Sequence, residues 1–269
     1  MRPVVLSGIG LFCTAGEGAA GVDGGVTGRI GSFRARDWVD DRKSLKLMSR
    51  SVKLGVAAMR MALDQTSGWG DVAPSARGMI VGTTPLGGDA KDLLPALDVA
   101  TDEFGTLSMS KFATEGRQLI HPLWLVKGLS NNVLGLGSAF HDFRGVNANY
   151  CSGDDSGARA VIEGYLAVAE GRADLVVCGG ADSMIAVPDG MMDSEPGEGS
   201  AFFVFRSVLS SDAEQLRSVR YAEGGRGVEA LKCLGEMGAA GRPVALARSL
   251  LRGESAILGV EGPLALHFA

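Results

Sequence analysis

The side chains able to do chemistry are few. The chain has 269 residues, with four cysteines, three histidines, 31 acidic and 26 basic side chains. Cys13, Cys151, Cys178 and Cys233 are irregularly spaced and no C-x-x-C occurs. They read as reduced thiols of a cytoplasmic protein, not as a disulfide or zinc framework. A thiol attacks as its thiolate. Cys13, Cys178 and Cys233 have nothing that lifts them above inert core cysteines. Cys151 stands three residues before Asp154, close to the start of a helical run, where the positive end of a helix stabilises an anion. Asp154 has a plainer role, because aspartate is a good helix N-cap.

His121, His141 and His267 show no metal-ligand spacing, so no metal is implied. His121 precedes Pro122, which favours an extended or turn conformation and a partly buried structural role. His141-Asp142 reads as a surface turn, and His267 falls in the last strand. No Ser-His-Asp set is forced by the order of residues. Trp38, Trp69 and Trp124 are packing residues. There are 40 glycines, about twice the ordinary share of ~7%. Neither a P-loop nor G-x-G-x-x-G after a strand is present, which excludes nucleotide binding and leaves no cofactor implied. The net charge of −5 argues against a general nucleic-acid binder. Against that acidic background Lys43, Lys46, Arg50 and Lys53 recur at steps of three, four and three. That is one face of a helix, opposite Leu45, Met48 and Val52. Such a stripe could receive an acidic partner; the plain alternative is a solvated helix face.

These groups need elements to hold them. With 46% hydrophobic and 21% charged residues, the composition is that of an ordinary globular chain with a substantial core. No apolar stretch reaches the ~18 residues of a membrane span. The first residues read as a strand, without a signal peptide's apolar region. Strands are expected at 3–10, 78–84, 146–151, 174–180 and 200–205, and helices at 44–65, 122–129 and 156–170. The run at 174–180 is apolar throughout, the pattern of a strand covered on both faces. Residues 186–196 read as an exposed loop. Further on come a strand near Val219, a helix over 243–252 and a last strand over 256–268. The alternation argues for an α/β layered fold.

Three segments stand in a suggestive order: RGVNANYCSGDDSGA (144–158), GRADLVVCGGAD (171–182) and PGEGSA (196–201). Supporting pieces are VVLSGIG (4–10), RKSLKLMSR (42–50), VGTT (81–84), PLW (122–124) and LSNN (129–132). Together they resemble the amino-terminal half of β-ketoacyl synthases of the thiolase fold, over about residues 1–207. The resemblance implies a thiolase-like layered α/β fold, with a central mixed sheet flanked by helices. It implies a single domain over 1–269, nearly complete over 1–207 and reduced over 208–269.

The resemblance also shows what is missing. Counted back from Gly171 without gaps, the family's nucleophilic cysteine falls on Asp154. A carboxylate there is a poor nucleophile toward a thioester, and Cys151 reaches that position only through a shifted turn. KCLGEMGAAG (232–241) looks like a family segment whose histidine is here Glu236, and an anionic glutamate would repel a developing oxyanion. A second histidine segment has no counterpart, since YAE (221–223) runs almost directly into GRG (225–227). LGVEGPLAL (258–266) resembles the closing strand pair, but Pro263 has no N–H to donate. Cys151, Asp154 and Glu236 therefore mark a vestigial site. The implied function is a non-catalytic partner, like a chain-length factor, in fatty acid or polyketide assembly. Such a subunit dimerises with an active ketosynthase or with itself. It shapes an acyl pocket or docks acyl carrier protein, with Lys43, Lys46, Arg50 and Lys53 as the basic contact. Two alternatives stay open: an acyl-thioester enzyme using Asp154 or Cys151, and a stand-alone acyl-binding or regulatory module.

Overall fold

β1, Val4–Cys13, is buried along almost its whole length. Its small residues let a helix lie directly on it: a Cβ at Gly10 would sit 1.9 Å from the Ala58 carbonyl oxygen. The computed structural model describes residues 1–31, 33–85, 92–185, 187, 192–207, 217–223, 237–259 and 264–268. Within them the remaining strands are β2 (Gly16–Glu17), β3 (Arg77–Gly82), β4 (Asn147–Tyr150) and β5 (Leu175–Ser183), then β6 (Glu198–Ser207), β7 (Arg217–Glu223), β8 (Ala256–Gly259) and β9 (Leu264–Phe268). The helices are α1 (Arg50–Asp64), α2 (Leu94–Ala100), α3 (Met109–Lys111), α4 (Arg117–Leu119), α5 (Trp124–Lys127), α6 (Asn132–His141), α7 (Ser156–Ala169) and α8 (Gly241–Leu251).

The strands form one mixed sheet in the order β4-β3-β5-β6-β1-β7-β9-β8, with β2 on β1. β4, β3 and β5 run parallel; the rest of the path is antiparallel. Helices cover both faces. α7 and α8 pack on one through a core holding Val176, Cys178, Phe203 and Phe205. α1 and α6 pack on the other, against Leu175, Val177, Phe202 and Val204. Successive residues of β5 and β6 feed opposite cores, as the two-residue strand period demands. That explains why both strands are continuously apolar. The thiolase-like α/β layering expected from the motifs is the observed architecture.

Four expectations need correction. The helix expected over 44–65 begins at Arg50, because Met48 is extended and Ser49 caps α1 by accepting the Val52 N–H. Residues 44–47 form a separate 3₁₀ turn. The helical stretch at 122–129 shrinks to the single turn of α5. The closing segment is two antiparallel strands, β8 and β9, not one. His141 is not a surface turn residue. It ends α6, a helix whose glycines at 135 and 137 hid it from the periodicity, and Asp142 makes the turn at φ 55°. The His141 ring lies 5.9 Å from the Trp69 ring, and burial pushes its imidazole down to about 4. Of the loop expected at 186–196, residues 186 and 188–191 lie outside the described residues. No helix among those described is long and apolar enough to cross a membrane.

Candidate functional site

The three parallel strands end together. Gly82 of β3 is in register with Tyr150 of β4 and with Gly180 of β5. Cys151 follows β4, Thr83 and Thr84 follow β3, and Asp182 lies two residues beyond Gly180. In α/β sheets ligands bind at this end of parallel strands. α7 starts here, and missing side chains allow it to. A Cβ at Gly82 would lie 2.3 Å from Gly157 N, and one at Gly157 would lie 2.0 Å from the Ala239 oxygen. A Cβ at Gly180 would meet that same oxygen at 2.4 Å. Strand ends, helix start and the 238–240 turn are thus in backbone contact.

Asp182 ties this stack together. It is 1% exposed. Its carboxylate accepts the Thr84 N–H, the Thr84 hydroxyl and the Ala239 N–H, each at 3.0 Å. Burial pushes its pKa up to about 7; the three donors oppose the shift and the Asp154 charge adds to it. Sequence reasoning quoted Asp182 only as the end of a motif and gave it no role. The available signal was an acidic residue closing a wholly apolar strand, which needs buried donors.

Asp154 is exposed and does not cap α7. The chain turns earlier, at Gly153 (φ 101°), and the N-cap position falls on Asp155. The Asp155 side chain makes no capping bond either; it pairs with Arg242 at 3.0 Å. Ser156 Oγ accepts the Ser152 N–H at 2.9 Å and closes the turn. Asp155 and Arg242 are site residues that the sequence did not single out. Cys151 is a half-buried free thiol. Among the described residues no histidine shares a hydrogen bond with it. The exposed His121 instead accepts the Leu123 N–H through Nδ1 at 3.1 Å. Glu236, Cys233 and Pro263 lie outside the described residues, as do 232–236 of the expected histidine segment. The site brings together a thiol and three carboxylates, and among the described residues no base is joined to the thiol.

The expected basic stripe is divided. Lys43 and Lys46 are exposed, before α1 begins. Arg50 turns inward onto Glu198, at 2.6 Å. Glu198 is fully buried and also accepts the Ile30 N–H (2.7 Å) and the Ser183 hydroxyl (2.8 Å). Lys53 is half-buried, and burial followed by the charges of Arg50, Lys127 and Arg29 pushes its ammonium pKa down. No group of ligating side chains among the described residues could hold a metal ion.

No protein-family model matches the chain. Solved structures do. One is a type II PKS acyl-carrier protein in complex with its ketosynthase bound to the hexaketide. It is 17% identical with a TM-score of 0.65, over 83% of this chain and 70% of that one. Another, the ishigamide ketosynthase/chain length factor, is 20% identical with a TM-score of 0.61, over 92% of this chain and 70% of that one. A third is a ketosynthase in complex with its chain length factor from Xenorhabdus doucetiae. It is 11% identical with a TM-score of 0.51, over the full length of both chains. With the strand order, the helices on both faces and the site at the ends of the parallel strands, these likenesses establish that the chain has the thiolase-type fold of ketosynthases.

Proposed function

We propose that the chain is a non-catalytic, ketosynthase-like subunit of the chain-length-factor kind. It pairs with an active ketosynthase in fatty acid or polyketide assembly. The observation that carries this reading is the free edge of β4, beside the site. β4 pairs only with β3 among the described residues. The Met79 N–H bonds to the Val146 oxygen and the Thr83 N–H to the Tyr150 oxygen. Backbone groups alternate sides along a strand, so the N–H and C=O groups of Asn147 and Asn149 point away from β3. An edge of this kind is a template for a strand from another chain. The segment leading into α6, which packs on β3 and β4, exposes Leu119, Leu125, Val126 and Leu129, with Leu125 71% exposed. Such an apolar surface fits a protein interface.

The site supports the non-catalytic part of the reading. At the helix start stands a carboxylate where the family has its thiol, and among the described residues Cys151 has no basic partner. The exposed Lys43 and Lys46 offer contacts to an acidic carrier protein. The reading places the chain in the cytoplasm, where Cys13, Cys151 and Cys178 keep the free state they have in the structure.

The test is co-expression with the ketosynthase of its own source, followed by sedimentation. The expected result is a one-to-one complex that Asn147→Pro dissociates. Proline there removes an outward donor and spares the ladder to β3. A chain that remains alone beside that ketosynthase, or a complex that Asn147→Pro leaves intact, contradicts the reading.

A further inference from the structure

Residues 22–29 run from α8, on one face of the sheet, toward α1, on the other. Gly21 and Ile30 at the two ends are buried, and no residue between them is. Val26 is 69% exposed. Gly24, Gly25 and Gly28 take positive φ of 71°, 103° and 107°. A Cβ at Gly24 or Gly28 would meet nothing within 4 Å, so these two glycines shape the path of the chain and fill no close contact. Polar bonds hold the segment instead. From α8, Arg248 donates to the Val22 and Gly24 oxygens at 2.8 and 2.9 Å. One turn later Arg252 donates to the Val22 oxygen and to the Asp23 carboxylate, both at 2.8 Å. The Thr14 hydroxyl donates to the Val26 oxygen. At the far end the Gly28 N–H bonds to the Pro196 oxygen at 3.0 Å, and Ile30 is fixed by Glu198 and Arg50. Arg248 is 3% exposed, yet among the described residues no carboxylate pairs with it and its Nη1 has no hydrogen-bond partner. A buried and incompletely bonded cation raises the free energy of this closed arrangement.

We propose that residues 22–29 are a strap that lifts as a unit, hinged at Gly21 and Ile30 and latched onto α8 by Arg248 and Arg252. Lifting exchanges exposed hydrogen bonds for bonds to water and uncovers no buried apolar side chain of the strap. Segments of that kind open at low free energy. Lifting also lets water reach the Arg248 guanidinium. The far end of the strap lies on the β5–β6 connection. Gly28 bridges Gly197, whose oxygen accepts the Met184 N–H two residues beyond Asp182. The strap thus ties α8 to the chain that leaves the candidate site, and lifting removes that tie. The inference concerns this chain alone and does not depend on the partner-subunit reading.

The experiment is limited proteolysis of the full chain with a protease that cleaves before aspartate. Asp23 is the aspartate of the strap. Asp182, buried in β5, is cut only when the whole sheet opens. Cutting follows the population of the open form when reclosing is fast, so the wild type is expected to be nicked at Asp23 well before Asp182. Arg252→Gln removes the exposed half of the latch, and Thr14→Val removes the bond to Val26. Each variant should speed nicking at Asp23 by about five- to tenfold and change the rate at Asp182 far less. A wild type cut no faster at Asp23 than at Asp182 overturns the proposal. So does a variant without acceleration at Asp23, or one with equal acceleration at both positions.

Discussion

The carboxylate of Asp182 and the backbone N–H of Ala239, 57 residues apart in sequence, are joined at 3.0 Å in the buried interior. Through the same side chain the end of β3 is fastened at Thr84. One acidic residue thus locks the turn before α8 onto the ends of the parallel strands.

That lock titrates. The folded pKa of Asp182 is raised to about 7 from an ordinary 3.8, so the folded state binds the extra proton. Its contribution is fully present below about pH 4, is lost as pH rises toward 7, and is constant above that. The slope is at most about 1.4 kcal/mol per pH unit. Asp182→Asn can keep the two N–H donors satisfied through its carbonyl and donate its amide to the Thr84 hydroxyl. Urea unfolding across pH 4 to 8 should show this part of the slope in the wild type and its disappearance in Asp182→Asn.

Two glycine-to-alanine substitutions should have opposite signs. At Gly157 a methyl meets the Ala239 carbonyl oxygen at 2.0 Å, and backbone must move. The cost of such overpacking is about 1–3 kcal/mol. At Gly135 in α6 a methyl meets nothing within 4 Å, so alanine should stabilise by about 0.5–1 kcal/mol. Denaturant midpoints of the two variants check this directly.

Arg50 is the counter-ion of a carboxylate with 0% exposure. Arg50→Met should cost about 3–5 kcal/mol, toward the low end because Arg50 itself reaches solvent. Adding Glu198→Gln to that variant should recover part of the loss. A double-mutant cycle by chemical denaturation measures the coupling.

Much of this frame was legible in the sequence. The apolar runs of β5 and β6 announced strands covered on both faces, and the ordered motifs announced the thiolase-type layering that the solved structures share. α6 was not legible, because its glycines break the apolar period while close packing requires one of them: a Cβ at Gly137 would meet Met59 Sδ at 2.6 Å. The start of α1 was misplaced, since Leu45 and Met48 continue the helical spacing although Ser49 resets the chain. For the site, Cys151 and Asp154 were found at the strand-to-helix turn. The roles of Asp182, Asp155 and Arg242 were not. Each depends on a partner far along the chain, Ala239 for Asp182 and Arg242 for Asp155, and no local pattern records such pairings.

The central claim is that this chain accompanies the chemistry and does not carry it. The most direct test is intact mass of both chains of the ketosynthase complex after incubation with a panel of acyl thioesters. The account predicts an acyl mass gain on the ketosynthase and none on this chain. A gain on this chain that disappears in Cys151→Ser or Asp154→Asn would contradict it and make the chain an acyltransferase in its own right.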